Sequence, residues 1–261
     1  MTRFAVIGDI HGNEQALDAA LSATDEMGFD QRVFIGDLLT YGTSVTTIVE
    51  KMAKLSQDGN TTVLRGNHDL IYDQLLKGNS SYKDSLPSWL QNSIDITFEQ
   101  LEPGIWAQVL FQDNFVNEAV YFSHANPFGR HNWRYLNTQA DMEDAANTLH
   151  MKQACVGVFG HTHRIAIFHG GVHQLPLSQN DPFLENLGVL NCNPVVLNCG
   201  SVGQPRDKNN REHVLWVETS AQAVKCWFQP IFYEVEGHLA DLEESTLIAE
   251  AKRRIRAFHI P

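Results

Sequence analysis

The chain predicts an α/β fold with a parallel sheet in its amino-terminal part and a β-rich remainder. Three observations point there. The first third alternates apolar runs with amphipathic stretches. From Ile105 onward short β-type runs dominate. Gly-Asp, Gly-Asn or Gly-His pairs recur just after apolar runs, at residues 8–9, 36–37, 66–67 and 160–161.

Phe4 to Ile7 reads as a strand that closes in Gly8-Asp9. Asn13 to Met27 reads as an amphipathic helix, with Ala16, Leu17, Ala20, Leu21 and Met27 near helical spacing. Arg32 to Ile35 is the next strand, closing in Gly36-Asp37, and Val45 to Leu55 the next helix. Thr61 to Leu64 is a third strand, closing in Arg65-Gly66-Asn67. This alternation implies right-handed crossovers and a parallel sheet. In such sheets ligands gather beyond the carboxyl ends of the strands, where all three motifs lie. Leu70 to Glu102 reads as helical, with Pro87 as a first-turn residue of a helix over 88–101. Strands are then expected over 106–111, 118–122, 156–159, 165–168, 195–197, 214–217 and 224–228, with one helix over 138–151 among them. His238 to Arg256 reads as a final charged helix. With no repeat, low-complexity tract or linker, the expectation is a single domain over 1–261. It would have two sheets, helices outside and a helical insert at about 70–102.

Composition narrows the partners. A net charge of −12 argues against a general nucleic-acid binder, which presents a basic stripe. A small nucleotide remains compatible, because a local metal site overrides the overall field. Nothing approaches the ~20 apolar residues of a membrane span. The first strand starts at Arg3, leaving no room for a signal peptide, so the cytoplasm is the expected compartment. Cys155, Cys192, Cys199 and Cys226 form no Cys-x-x-Cys pair and are expected as reduced thiols.

The chemistry is carried by side chains at strand ends. Asp9 and His11 stand two residues apart, between glycines that permit tight turns. The bland alternative there is a helix cap by Asn13 or Asp9. Asp37 repeats the arrangement, and a carboxylate, unlike an imidazole, bridges two cations. Asn67 offers a neutral oxygen, and His68 beside it can face the same cavity. His161 and His163, two apart in extended chain, present both rings to one face. His124 follows a further strand, Val120 to Phe122. Two carboxylates, one amide and four imidazoles make a mixed N/O donor set. It suits Mn, Fe, Zn, Ni or Co better than Ca. Two such divalent ions about 3.5–4 Å apart clamp an in-line phosphoryl displacement and acidify a bound water.

The order Asp-x-His, Gly-Asp, Gly-Asn-His-Asp, His, Gly-His-x-His, from Asp9 to His163, resembles the calcineurin-like metallophosphoesterases. The resemblance implies a four-layer α/β/β/α sandwich with two mixed sheets and a dinuclear metal site at the strand ends. It implies Asp9, His11 and His163 on one metal, Asn67, His124 and His161 on the other, and Asp37 as the bridge. His68 resembles the family's histidine that contacts the phosphate and protonates the leaving oxygen. The activity implied is hydrolysis of phosphate esters by metal-bound hydroxide, as a phosphodiesterase or phosphatase acting on a small ester or nucleotide.

Residues 198–207, Asn-Cys-Gly-Ser-Val-Gly-Gln-Pro-Arg-Asp, resemble a stretch of the small bacterial and archaeal phosphoesterases. Arg206 there can bind a phosphate, or pair with an acidic neighbour in a structural turn. Tyr41 occupies the slot of an arginine in protein phosphatases and diadenosine tetraphosphatases. Thr40 replaces an aspartate that orients the catalytic histidine of protein phosphatases. Both departures argue against a protein Ser/Thr phosphatase. Asn13, Tyr41 and Arg206 are the candidate substrate contacts, with Tyr41 expected to stack on an aromatic substrate. Trp89, His131, Trp133 and Tyr135 either line a base pocket or pack the insert onto the sheet. The competing class is a non-catalytic interaction module on the same fold, against which the full ligand set and His68 weigh.

Overall fold

The computed structural model describes residues 1–174, 180, 183–186, 193–207 and 212–259. Strand β1 (Thr2–Ile7) already shows the layering. Phe4 and Val6 enter one apolar cluster, while Ala5 and Ile7 enter another on the opposite face. A strand alternates its side chains with period two, so a strand buried on both faces must be apolar throughout.

The chain continues through α1 (Glu14–Met27), β2 (Gln31–Phe34), α2 (Val45–Leu55), β3 (Thr61–Leu64), α3 (Asn67–Leu76), α4 (Ser81–Asp84) and α5 (Ser88–Gln100). Next come α6 (Pro103–Trp106), β4 (Phe111–Gln112), β5 (Asn114–Asn117), β6 (Val120–Ser123), α7 (Gln139–Met151), β7 (Val156–Phe159) and β8 (Ile165–His169). The last elements are β9 (Val172–Gln174), β10 (Phe183–Asn186), β11 (Val195–Cys199), β12 (His213–Thr219), β13 (Ala223–Pro230), α8 (Val235–Glu244) and α9 (Ala249–Arg256). The described strands make a seven-stranded sheet, β10-β13-β12-β1-β2-β3-β4, and a six-stranded sheet, β5-β6-β7-β11-β8-β9. β1 to β4 are parallel, as are β6, β7 and β11; the outer partners are antiparallel.

Three apolar clusters fill the spaces between the layers. Phe4, Val6, Val33 and Ile35 of the first sheet meet Phe122, Val158, Val195 and Leu197 of the second. On the outer face of the first sheet, Ile7, Phe34 and Trp216 pack on α1, α2 and α5. On the outer face of the second, Phe159, Phe168 and Val196 pack on Met142, Ala145 and Leu149 of α7. This is the helix–sheet–sheet–helix order expected. In α2, Val45, Ile48, Val49, Met52 and Ala53 form the buried stripe, and each large apolar side chain contributes about 1.5–3 kcal/mol.

Several boundaries differ from the sequence reading. The strand expected over 106–111 is instead the turn of α6 followed by the two-residue β4. Pro103 starts that turn, and Trp106 is pulled inward by its Nε1–H bond to Asp73 at 2.9 Å. The final helix is broken between α8 and α9: Leu247 drops into the core, and the Ile248 N–H donates to Asn92 at 3.0 Å. Cys199 and Cys226 are buried free thiols. Cys155 is disulfide-bonded, which corrects the expectation that all four cysteines stay reduced. Linear spacing carries no record of which cysteines meet after folding. Cys192 lies outside the described residues. Among the described residues no helix is long and apolar enough to cross a membrane.

Candidate metal centre

The carboxyl ends of β1, β2, β3, β6, β7 and β11 converge. The first five deliver Asp9 and His11, Asp37, Asn67, His124, and His161 and His163, all of them buried. The ligand atoms of Asp9, His11 and His163 lie within 4.8 Å of one another, and so do those of Asp37, His124 and His161. Asn67 joins the second group, its Oδ1 at 3.1 Å from His124 Nε2. Asp37 stands between the two groups. Its Oδ1 accepts the His68 backbone N–H at 2.8 Å. Its Oδ2 lies 3.3 Å from His124 Nε2 and 3.7 Å from His11 Nε2.

Every imidazole is held by its far nitrogen. Nδ1 of His11, His124 and His163 meets the carbonyls of Leu39, Ile35 and Gln204 at 3.0, 2.8 and 2.7 Å, and His161 Nε2 meets that of Trp133 at 3.0 Å. A carbonyl only accepts, so the N–H sits on that nitrogen and the inner nitrogen presents a lone pair. The inner nitrogens of His11 and His163 are 3.2 Å apart, as are those of His124 and His161. Two lone pairs at that distance repel unless positive charge lies between them. The donor set therefore fits divalent cations.

Electrostatics make the same demand. Burial pushes the Asp9 carboxyl up to about 7, reinforced by Asp37 against His124. Burial opposes the charged form of His124, but Asp37 and Asp9 outweigh it and raise that histidine to about 9. Burial, aided by the charge of His124, lowers His161 to about 3. The buried carboxylates thus favour positive charge at this point, which a cation would supply.

The backbone carries strain here. Asp9, His11, Asp37, His161 and His163 have φ of 41°, 50°, 54°, 65° and 58°. For residues other than glycine this left-handed region costs of order 1–3 kcal/mol each, and such positions cluster at functional sites. Crossing backbone bonds hold them in place. The N–H groups of Ile10 and His11 both donate to Asp37 O at 3.0 Å, and that of Gly203 donates to Asp9 O at 3.0 Å. Gly66 is required for close approach, because a Cβ there would meet the Asp37 carboxylate.

Asp69 belongs to a motif seen in the sequence but received no role there. Its carboxylate accepts the backbone N–H of Asp37, Leu38 and Gly66 at 2.7, 2.9 and 2.8 Å, fixing the turn that aims Asp37. Asp69→Asn replaces one acceptor oxygen by a donor facing those N–H groups. Metal affinity should fall about 10–100-fold, read by competition with a chelating dye.

The remaining candidates divide. His68 lies at the start of α3, its ring 5.1 Å from that of His11, with Nε2 at 3.5 Å from the Tyr41 hydroxyl and Nδ1 buried without a partner. Burial lowers its pKa, with Asp37 acting in the opposite sense. Tyr41 is buried, and its ring packs on His11, His68 and Trp89. This counts against Tyr41 stacking on substrate: its ring is buried among these neighbours, and its hydroxyl lies 3.5 Å from His68 Nε2. Arg206 donates to Gln204 Oε1 at 2.8 Å, while its own Nε and Gln204 Nε2 are buried without partners. Such unpaired donors mark a place for a ligand acceptor. Asn13 does what the cap alternative describes. Its Oδ1 accepts the Ala16 N–H at 3.0 Å, and its Nδ2 donates to Gly203 O at 3.3 Å and Tyr233 at 3.0 Å. Thr40 bonds Tyr72 at 2.5 Å rather than orienting His68. Trp89 backs Tyr41, and His131 stacks on Trp133 at 5.8 Å. Of that aromatic group, Tyr135 both stacks on a candidate ligand, His161, with ring centroids 4.2 Å apart, and is substantially exposed.

Known proteins resemble this chain in sequence and fold. A family model described as calcineurin-like phosphoesterase superfamily domain matches residues 2–222. An uncharacterized protein of Methanocaldococcus jannaschii is 31% identical over 209 residues, 79% of each chain. The crystal structure of a metallophosphoesterase from Sphaerobacter thermophilus superposes with a TM-score of 0.73 at 22% identity, covering 99% of this chain and 100% of that one. A hypothetical protein from Pyrococcus horikoshii gives a TM-score of 0.76 at 17% identity, covering 99% and 98%. These two structures share the fold. The family match supports metal-dependent phosphoester hydrolysis in general, and the fold adds two buried His/Asp clusters that could hold metal. On the match across residues 2–222, the chain belongs to the calcineurin-like phosphoesterase superfamily.

Proposed function

We propose that the protein is a hydrolase of phosphodiesters that works with two divalent transition-metal ions. The observation that carries this reading is the position of Asp37 Oδ2, within 3.7 Å of an imidazole nitrogen in each cluster. Asp9, His11 and His163 would hold one cation, and Asn67, His124 and His161 the other, with Asp37 shared. When bound, the cations supply a nucleophile at neutral pH and offset charge on the phosphoryl oxygens.

The protein's own groups then have separate tasks. Arg206 Nε and Gln204 Nε2, unpartnered and buried, donate to a non-bridging phosphate oxygen. His68 Nε2, loosely held by Tyr41 at 3.5 Å, delivers a proton to the leaving oxygen. The arriving phosphate charge counteracts the burial that lowers the His68 pKa. Buried walls around the ligands exclude bulk water and strengthen these interactions.

The test is hydrolysis of bis-p-nitrophenyl phosphate and p-nitrophenyl phosphate by metal-stripped protein, titrated with Mn²⁺, Ni²⁺, Zn²⁺, Co²⁺ and Mg²⁺. Metal-dependent cleavage with the diester preferred is expected. Absence of cleavage with every metal would overturn the hydrolase reading, and a monoester preference would overturn the diester assignment.

A further inference from the structure

Two aromatic side chains at the centre are neither core nor ligands. Tyr82, from α4, is 39% exposed, and Tyr135, from the segment before α7, is 44% exposed. Each is tied to a different residue of the same cluster. The Tyr135 ring stacks on His161, with centroids 4.2 Å apart and planes 18° from parallel. The Tyr82 hydroxyl lies near the Asn67 side chain, which favours its ionised form. Asn67 Oδ1 faces His124, which leaves the Asn67 amide nitrogen as the group able to face that phenol. His161 Nδ1 and Asn67 Oδ1 lie 3.2 and 3.1 Å from the same atom, His124 Nε2. The two phenols therefore flank one cluster, from two segments far apart in sequence.

The other cluster has different company. Arg206 runs beside His163, its backbone N–H donating to His163 O at 3.0 Å, and brings the unpartnered donors. That flank carries a cation and the buried Tyr41 ring, whereas the exposed rings belong to the cluster of His124 and His161.

We propose that Tyr82 and Tyr135 form an aromatic clamp that grips a planar ring of the phosphate ester, either a nucleobase or a simple aryl group. The proposal rests on the phosphodiesterase reading above and names its substrate class. Tyr135 is braced from behind by His161, so its outer face is preorganised and little freedom is lost on stacking. Stacking on such a platform tolerates any base, because every base has a π-face.

The experiment is calorimetric titration of the Mn²⁺-loaded protein with AMP, ribose 5-phosphate, phenyl phosphate and ethyl phosphate. The wild type and the variants Tyr135→Ala, Tyr135→Phe and Tyr82→Ala are compared. AMP is expected to bind roughly ten-fold or more tightly than ribose 5-phosphate, the scale of one base–aromatic stack. Tyr135→Ala and Tyr82→Ala should remove most of that ratio by weakening AMP alone, and Tyr135→Phe should keep it. Phenyl phosphate gaining as much over ethyl phosphate would assign the clamp to any aryl group. A gain by AMP alone would assign it to nucleobases. Equal binding of AMP and ribose 5-phosphate overturns the clamp, as does a Tyr135→Phe variant as weak as Tyr135→Ala. Mn²⁺-dependent cleavage of bis-p-nitrophenyl phosphate by the same preparation separates the two failures. Its presence without a ring preference sinks the clamp alone, and its absence sinks the hydrolase reading.

Discussion

Asp37→Asn is expected to lower metal-dependent hydrolysis on the order of 10³-fold and to reduce bound metal below two ions per chain. The substitution preserves shape. Its oxygen can still accept the His68 N–H, as Asp37 Oδ1 does at 2.8 Å. What changes is the atom between the clusters, where a neutral –NH₂ donor replaces a shared carboxylate oxygen. Neither His11 Nε2 nor His124 Nε2 then keeps its anionic neighbour at 3.7 and 3.3 Å. Metal content by elemental analysis and initial rates on bis-p-nitrophenyl phosphate check this together. A variant with two ions and more than a tenth of wild-type rate would show that Asp37 is not the bridge.

His68→Ala is expected to reduce turnover about 10²–10⁴-fold, with metal content unchanged. The separation follows from placement. His68 lies beside both clusters but supplies a ligand atom to neither. Loss of a proton donor should also depend on the leaving group. Esters of basic alcohols should suffer more than p-nitrophenyl esters, whose leaving oxygen needs little protonation. Full activity on both, or an equal loss on both, removes His68 from the acid role.

Much of this centre was legible because strand ends announce themselves. An apolar run followed by Gly-Asp, Gly-Asn or Gly-His is a local signal, and a parallel sheet brings such signals to one edge. The grouping of Asp9 with His163, and of Asn67 with His161, came from family resemblance, since it depends on how two sheets face each other. Side-chain engagement was harder to read. Asn13 looked available and is engaged in capping α1, and Tyr41 looked like a platform and is buried. Tyr82 carries no periodic signal, being an isolated tyrosine in a polar stretch; only folding brings it near Asn67. The left-handed backbone at five candidate ligands was only faintly signalled: Asp and His enter that region more often than most residues, but still rarely. The break between α8 and α9 escaped notice because Leu247 continues the apolar pattern while leaving the helix to reach the core.

The most direct test of the bridged two-metal centre is electron paramagnetic resonance during Mn²⁺ titration of metal-free protein. Binding of two ions per chain with an exchange-coupled spectrum, lost in Asp37→Asn, is the expected result. Saturation at a single ion, or two ions with uncoupled spectra, would contradict a centre in which Asp37 joins both clusters.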